Sequence, residues 1–163
     1  MSKPFLKVSN DFTKGFNEAI NSLKHKETLV GIPSTDKPRQ DGDPINNATI
    51  LFINEFGSPA NNIPPRPVMK IGIAKAQVDI AEEFKACANA VLDKGPAVID
   101  QYYERVGIIA SNSVKGVINN QEGIEGPSKA TLEAREARGF MGTKALVVSG
   151  QLRNSITYIV KGK

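Results

Sequence analysis

The sequence predicts an α+β domain in which a small, mostly antiparallel sheet packs against two long helices, with long loops between them. Three observations carry that expectation. Two adjacent stretches, 73–92 and 97–118, repeat apolar residues at helical spacing and are parted by Asp93-Lys94-Gly95-Pro96. Only "ETLVGIP" and "NSITYIV" have clear strand character. Polar segments rich in Gly, Pro, Asn and Asp separate these elements. At 163 residues the chain suits one domain, 1–163, with 34–47 and 119–144 as extended loops or arms.

Taken in order, "SNDFTKGFNEAINSLKHK" predicts a first helix, with Phe12, Phe16, Ala19, Ile20 and Leu23 on one stripe. Ser9, Asn10 and Asp11 are candidate N-caps. A strand over "ETLVGIP" is ended by Pro33. "STDKPRQDGDPINN" has no apolar period and reads as a long exposed loop. "NNATILFINEFG" is best read as a short helix starting near Asn46 or Asn47 and closed by Gly57, with a strand as the alternative. "IPPRPVM" is a stiff extended connector, because each proline lacks an N–H and biases its predecessor toward extended geometry.

The first long helix carries Ala74, Val78, Ala81, Phe84, Ala88, Val91 and Leu92 as its apolar stripe. The second carries Val98, Tyr102, Val106, Ile109, Ser113 and Val117. The Gly-Pro junction makes the pair a helical hairpin or a sharp kink. A short polar helix follows, roughly 128–138, with so little apolar content that it is expected to be exposed or used between subunits. Ser149 to Arg153 forms a turn or a short helical start capped by Ser149. In the last strand Ile156, Tyr158 and Val160 share one face.

Composition narrows the function. Hydrophobic residues make up 40%, aromatics 6%, and Trp is absent, so the core must be mainly aliphatic. The net charge of +4 is spread along the chain without a basic cluster, which argues for a solvated surface over a nucleic-acid patch. The single cysteine, Cys87, lies in a helical pattern and reads as a small buried apolar residue; it excludes an intrachain disulfide. "MSKPFLKVSNDF" lacks an apolar signal core, and runs such as "VGIIA" and "ALVV" fall far short of the roughly 20 residues that span a bilayer. A soluble protein made in the cytoplasm, with no membrane contact, is expected.

Catalytic chemistry finds no foothold. There is no G-x-x-x-x-G-K-[ST], G-x-G-x-x-G or G-x-S-x-G string. His25 stands alone at a polar helix end, far from Cys87. Asp41 and Asp43 lack the further oxygen ligands and closing Glu of a calcium loop. Glu82 and Glu83 are adjacent on a helix and diverge, while Glu133 and Glu136 are interleaved with Arg135 and Arg138 as on a solvated face. No catalytic, cofactor-binding or metal-ligating residue, and no cofactor, is expected.

Two stretches stand apart: "NEFGSPANNIPPRP" and "VVSGQLRNSITY". Arg66, fenced by Pro65 and Pro67, presents five fixed donors and suits a bidentate contact with an acid, for which Glu55 is a candidate. The strings Asn54-Glu55-Phe56-Gly57 and Ile63-Pro64-Pro65-Arg66-Pro67, followed by Leu146-Val147-Val148-Ser149-Gly150-Gln151-Leu152-Arg153-Asn154-Ser155-Ile156-Thr157-Tyr158, resemble the signature of tailed-phage virion-morphogenesis proteins, the tail-completion or head–tail joining proteins of the neck. Together with Val30 to Pro33, the likeness loosely covers Glu27 to Val160. Val148-Ser149 stands where that family usually has Asp-Thr, and Val68-Met69 replaces its aromatic after Arg-Pro.

The resemblance implies a non-enzymatic virion protein, assembled in the host cytoplasm. It implies a ring, hexameric in relatives, that finishes the head-proximal end of the tail. Its partners would be further copies of itself, a tail terminator or tail tube protein and head connector proteins, with DNA passing through the lumen. It makes Asn54, Glu55, Phe56, Gly57, Pro65, Arg66, Pro67, Gly150, Gln151, Leu152 and Arg153 the interface or structural motif. A tail terminator ring is the alternative, and a DNA-binding accessory protein a weaker one.

Overall fold

The structure, a computed structural model, describes residues 10–33 and 45–162. Its elements run α1 (Asn10–Lys24), β1 (Lys26–Gly31), α2 (Asn47–Phe56), α3 (Val68–Lys94), α4 (Ile99–Asn120), α5 (Lys129–Glu136), α6 (Gln151–Ser155) and β2 (Thr157–Gly162). The two strands pair antiparallel, Lys26 opposite Gly162 and Gly31 opposite Thr157. The fold is α+β, with the two-stranded sheet packed on the long helices, chiefly on α4.

The junction between α3 and α4 is a hairpin. Gly95 closes α3 at φ +79°, and Pro96 opens a short 3-10 turn, Pro96–Val98, leading into α4. Gly72 faces α4 so closely that a Cβ there would lie 2.6 Å from Val114 Cα. This contact sets the rotation of α3. The buried residues are Val68, Gly72, Ala76, Cys87 and Val91, mostly small ones that let the two backbones approach.

The expected stripe on α3 is therefore corrected. Of its members only Val91 is buried; Ala74, Val78, Ala81, Phe84 and Leu92 are exposed, Val78 at 67%. The helix turns small residues such as Gly72 and Ala76 inward in its middle and leaves Val78 and Leu92 outside, while Phe84 stays on the α4 side, packed edge-on against Tyr103. The stripe on α4 is also displaced. Ile99, Tyr103, Val106, Gly107, Ala110, Ser111, Val114, Val117 and Ile118 are buried, so only Val106 and Val117 of the expected set are. The reason is that α4 is covered on two sides, by α3 and by the sheet. At Gly107 the ring of Tyr158 from β2 sits where a Cβ would be, 2.2 Å from Tyr158 Cδ2.

Other expectations meet the structure directly. Cys87 is fully buried, and the core's one buried aromatic among the described residues is Tyr103. Ile156 is buried and Tyr158 and Val160 half-buried, while Ile159 faces solvent. In the first helix Ala19 is buried but Phe16 is exposed; the side chain of Phe12 and the N-cap candidates lie outside the described side chains. The connector "IPPRPVM" is extended only to Pro67. Val68 and Met69 already belong to α3, because a proline just before the first helical residue is compatible with helix initiation.

Of the two segments expected as loops or arms, 34–44 lies outside the described residues, and Asn46 and Asn47 are the cap and first residue of α2. The segment 119–144 begins inside α4 and carries α5. Its ends are tied together: the Gln121 side chain accepts from Ala145 N at 2.6 Å and donates to Ala145 O at 3.1 Å, and Lys144 Nζ donates to Asn119 O at 2.8 Å.

Two apolar clusters result. One joins Ala19, Cys87, Val91, Ile99 and Tyr103. The other joins Leu51, Val68, Val114, Val117, Ile118, Leu152 and Ile156, and it is the floor on which the two singled-out stretches rest.

Candidate functional site

The first stretch is built from α2 outward. Asn46 caps the helix, its Oδ1 accepting from Thr49 N at 2.8 Å. Gly57 ends it at φ +75°, and a Cβ there would press on Ile63 O at 2.9 Å and Pro65 N at 3.0 Å, so only glycine fits the crossing. Ser58 and Ile63 then close the loop by exchanging backbone hydrogen bonds of 2.9 and 3.0 Å. The chain returns through the prolines beside α2, where Arg66 N donates to Asn54 O.

Glu55 and Arg66 do not pair with each other. The Glu55 carboxylate accepts from Met69 N and Lys70 N, both at 2.9 Å. It is thus the N-cap of α3 supplied from another helix. That role falls to it because Pro67, at the cap position, has no side-chain oxygen to offer. Arg66 instead clamps two successive carbonyls, Nε on Glu125 O at 2.7 Å and an Nη on Gly126 O at 3.0 Å. The guanidinium fork fits two neighbouring oxygens, whether they belong to a carboxylate or to consecutive peptide groups.

The second stretch forms α6. Its N-cap is Gly150, at φ +78°, and no side chain caps it, which corrects the assignment of that role to Ser149. Leu152 is buried in the cluster beneath, and Arg153 Nη1 donates to Asn119 Oδ1 at 2.8 Å, tying α6 to the end of α4. Asn47 Nδ2 donates to Ser155 Oγ at 2.9 Å and holds α2 against α6.

Far apart in sequence, the two stretches therefore meet. Between them lies a cleft of about 250 Å³ lined by Asn54 and Arg66 from the first, by Ser149, Gly150, Gln151 and Leu152 from the second, and by Thr131 and Arg135 from α5. Glu55, Gly57, Pro65, Pro67 and Arg153 do not line the cleft, and Glu55 borders a separate groove along α3. Phe56 points elsewhere: it is 67% exposed and packs on Phe52, ring centroids 4.8 Å apart.

Arg135 is the residue that sequence reasoning missed. It reads as one charge among several on a solvated helix, and nothing local distinguishes it. Its position depends on the chain turning back after α5 at Gly139, φ +81°, so that Arg135 Nη1 donates to Lys144 O at 2.8 Å and Gly142 O at 3.2 Å. Partial burial pulls the Arg135 guanidinium below its ordinary pKa, and the positive charge of Arg66 adds to the effect.

Among the described residues no three His, Cys, Asp or Glu side chains gather as a metal site, and no helix is long and apolar enough to cross a membrane. The cleft offers hydrogen-bond donors and positive charge. Comparison with protein-family models, with curated proteins and with solved structures returns no match.

Proposed function

We propose that the chain is a structural subunit of the tailed-phage neck, a tail-completion or head–tail joining protein that assembles with copies of itself into a ring at the head-proximal end of the tail. The observation that supports this most is the convergence of the two signature-like stretches on one cleft, with Arg66 clamping the carbonyls just before Pro127 in its wall and Glu55 capping α3 beside it. Residues that share a motif for reasons of assembly are expected to share a surface. The exposed apolar residues of α3 and the exposed Phe52, Phe56 and Met141 give the isolated subunit more uncovered apolar side chains than a monomer needs, as a ring subunit would.

In this reading the ring meets tail tube or terminator protein on one side and connector protein on the other, and DNA passes through it without specific contact. The test is an infection in which the protein is not made. Filled heads beside unjoined tails of normal length are expected. Over-long tail tubes would make the protein a terminator, and intact virions would remove it from the neck altogether.

A further inference from the structure

The cleft carries an unbalanced charge. Arg66 and Arg135 both line it, and among the described residues no Asp or Glu does. Both guanidinium groups are held in place by backbone carbonyls, which fixes two like charges on one small cavity. Those clamps leave N–H groups over: one Nη of Arg66, and Nε and Nη2 of Arg135, have no partner in the protein among the described residues. Asn54, Thr131, Ser149 and Gln151 add polar groups around them. The volume, about 250 Å³, is that of a side chain rather than of a nucleotide, and Leu146, Val148 and Pro127 make part of the wall apolar. Fixed donors, excess positive charge and an apolar wall describe a receptor for a carboxylate carried on a protein surface.

A surface of that kind exists on the same chain. The outer side of α3 is apolar and uncovered around Val78, which is 67% exposed, and the exposed Ala81. A shallow groove there is bordered by Gln77, Val78, Ala81, Glu82 and Lys85. The exposed Glu82 carboxylate has no partner among the described residues, unlike Glu83, which lies 3.8 Å from Arg105 Nη1. Receptor and carboxylate thus occupy different faces of one subunit. A contact between unlike faces is heterologous, and when its rotation closes it generates a ring.

We propose that the Arg66–Arg135 cleft receives the Glu82 carboxylate of a second copy of this chain, with Val78 and its apolar neighbours on α3 covering the surface around it. The proposal rests on the ring reading given above and names the two faces that would form the contact. It is tested by measuring the assembly of the purified full chain by native mass and sedimentation. Glu82→Lys, at a position with no intrachain role, and Arg135→Glu are each expected to raise the concentration needed for assembly about tenfold or more, and the double charge swap to recover most of the loss. Because Arg135 also holds two carbonyls, a second pair avoids it: Glu82→Cys with Thr131→Cys is expected to give disulfide-linked ladders of subunits on mild oxidation. If Glu82→Lys assembles like the parent chain, or no ladder forms, the proposal is overturned while the ring reading stands. A parent chain that stays monomeric at every concentration overturns both. Salt-sensitive binding of duplex DNA that Arg135→Glu abolishes, without any change in assembly, makes the cleft a phosphate site and also overturns it.

Discussion

At the scale of single residues, the site is governed by backbone groups that need partners. The first turn of α3 exposes N–H groups, and Pro67 cannot satisfy them; the Glu55 carboxylate takes two. Glu55→Ala is therefore expected to cost about 1–2 kcal/mol, lowering the melting temperature by about 2–8 °C, with Glu55→Gln in between because its amide oxygen still accepts. An unchanged melting curve for Glu55→Ala would show that water caps the helix equally well. Glycine contacts make a second, sharper prediction. Gly107→Ala forces a methyl into the Tyr158 ring and is expected to destabilise by about 1–3 kcal/mol or more. Gly116→Ala, on the same helix but facing open space, is expected to stabilise by up to about 1 kcal/mol. Urea unfolding of the two variants checks both signs at once.

At the scale of elements, the sequence made several boundaries legible, though not the start of α3 at Val68 or the cap of α6 at Gly150. Asn46 and Gly57 bracket α2, Gly95-Pro96 turns α3 into α4, and alternation marks the face of β2. Which face of a long helix is buried was not legible. Apolar periodicity selects the largest hydrophobic side chains, whereas α3 buries Gly72 and Ala76, because backbone proximity to α4 decides the rotation. The two walls of the cleft were legible as unusual stretches; Arg135 was not, because its place is set by a turn of the chain beyond its own helix. Buried inside this hairpin, the Cys87 thiol is pushed above its ordinary pKa by desolvation, with Glu83 adding to the effect. It is expected to resist alkylation at neutral and mildly alkaline pH in the native protein and to react promptly once urea unfolds it; rapid labelling of the native chain would contradict the packing of α3 on α4. A further link crosses from α3 to the end of α4, where Lys75 bonds Glu122. The Lys75 hydrogen bond, then that of Asn120, holds the Glu122 carboxyl below its ordinary value of 4.5. A depressed carboxyl stabilises the fold at pH above that value and loses the effect as pH falls through and below it. The melting difference between the parent chain and Glu122→Gln is therefore expected to be full at about pH 7 and to shrink steadily as the pH is taken below 4.5, as thermal melts across that range would show.

At the scale of the whole molecule, the chain has a firm interior and an uncommitted exterior. The α3–α4 hairpin, closed by a sheet that joins the first and last strands, supplies the body. Outside it stand a cleft lined by two arginines, an apolar helix face bearing Glu82, which has no partner among the described residues, and the tilted Phe52–Phe56 pair. These surfaces differ in character, which suits a subunit that contacts unlike neighbours rather than one that pairs back to back. The central claim is that this chain is a ring subunit. Native mass measurement of the purified protein across a range of concentrations, with electron micrographs of the same samples, tests it most directly. Closed rings of a single stoichiometry are the expected result. A monomer at every concentration, with no ring on the ends of purified tails, would contradict it.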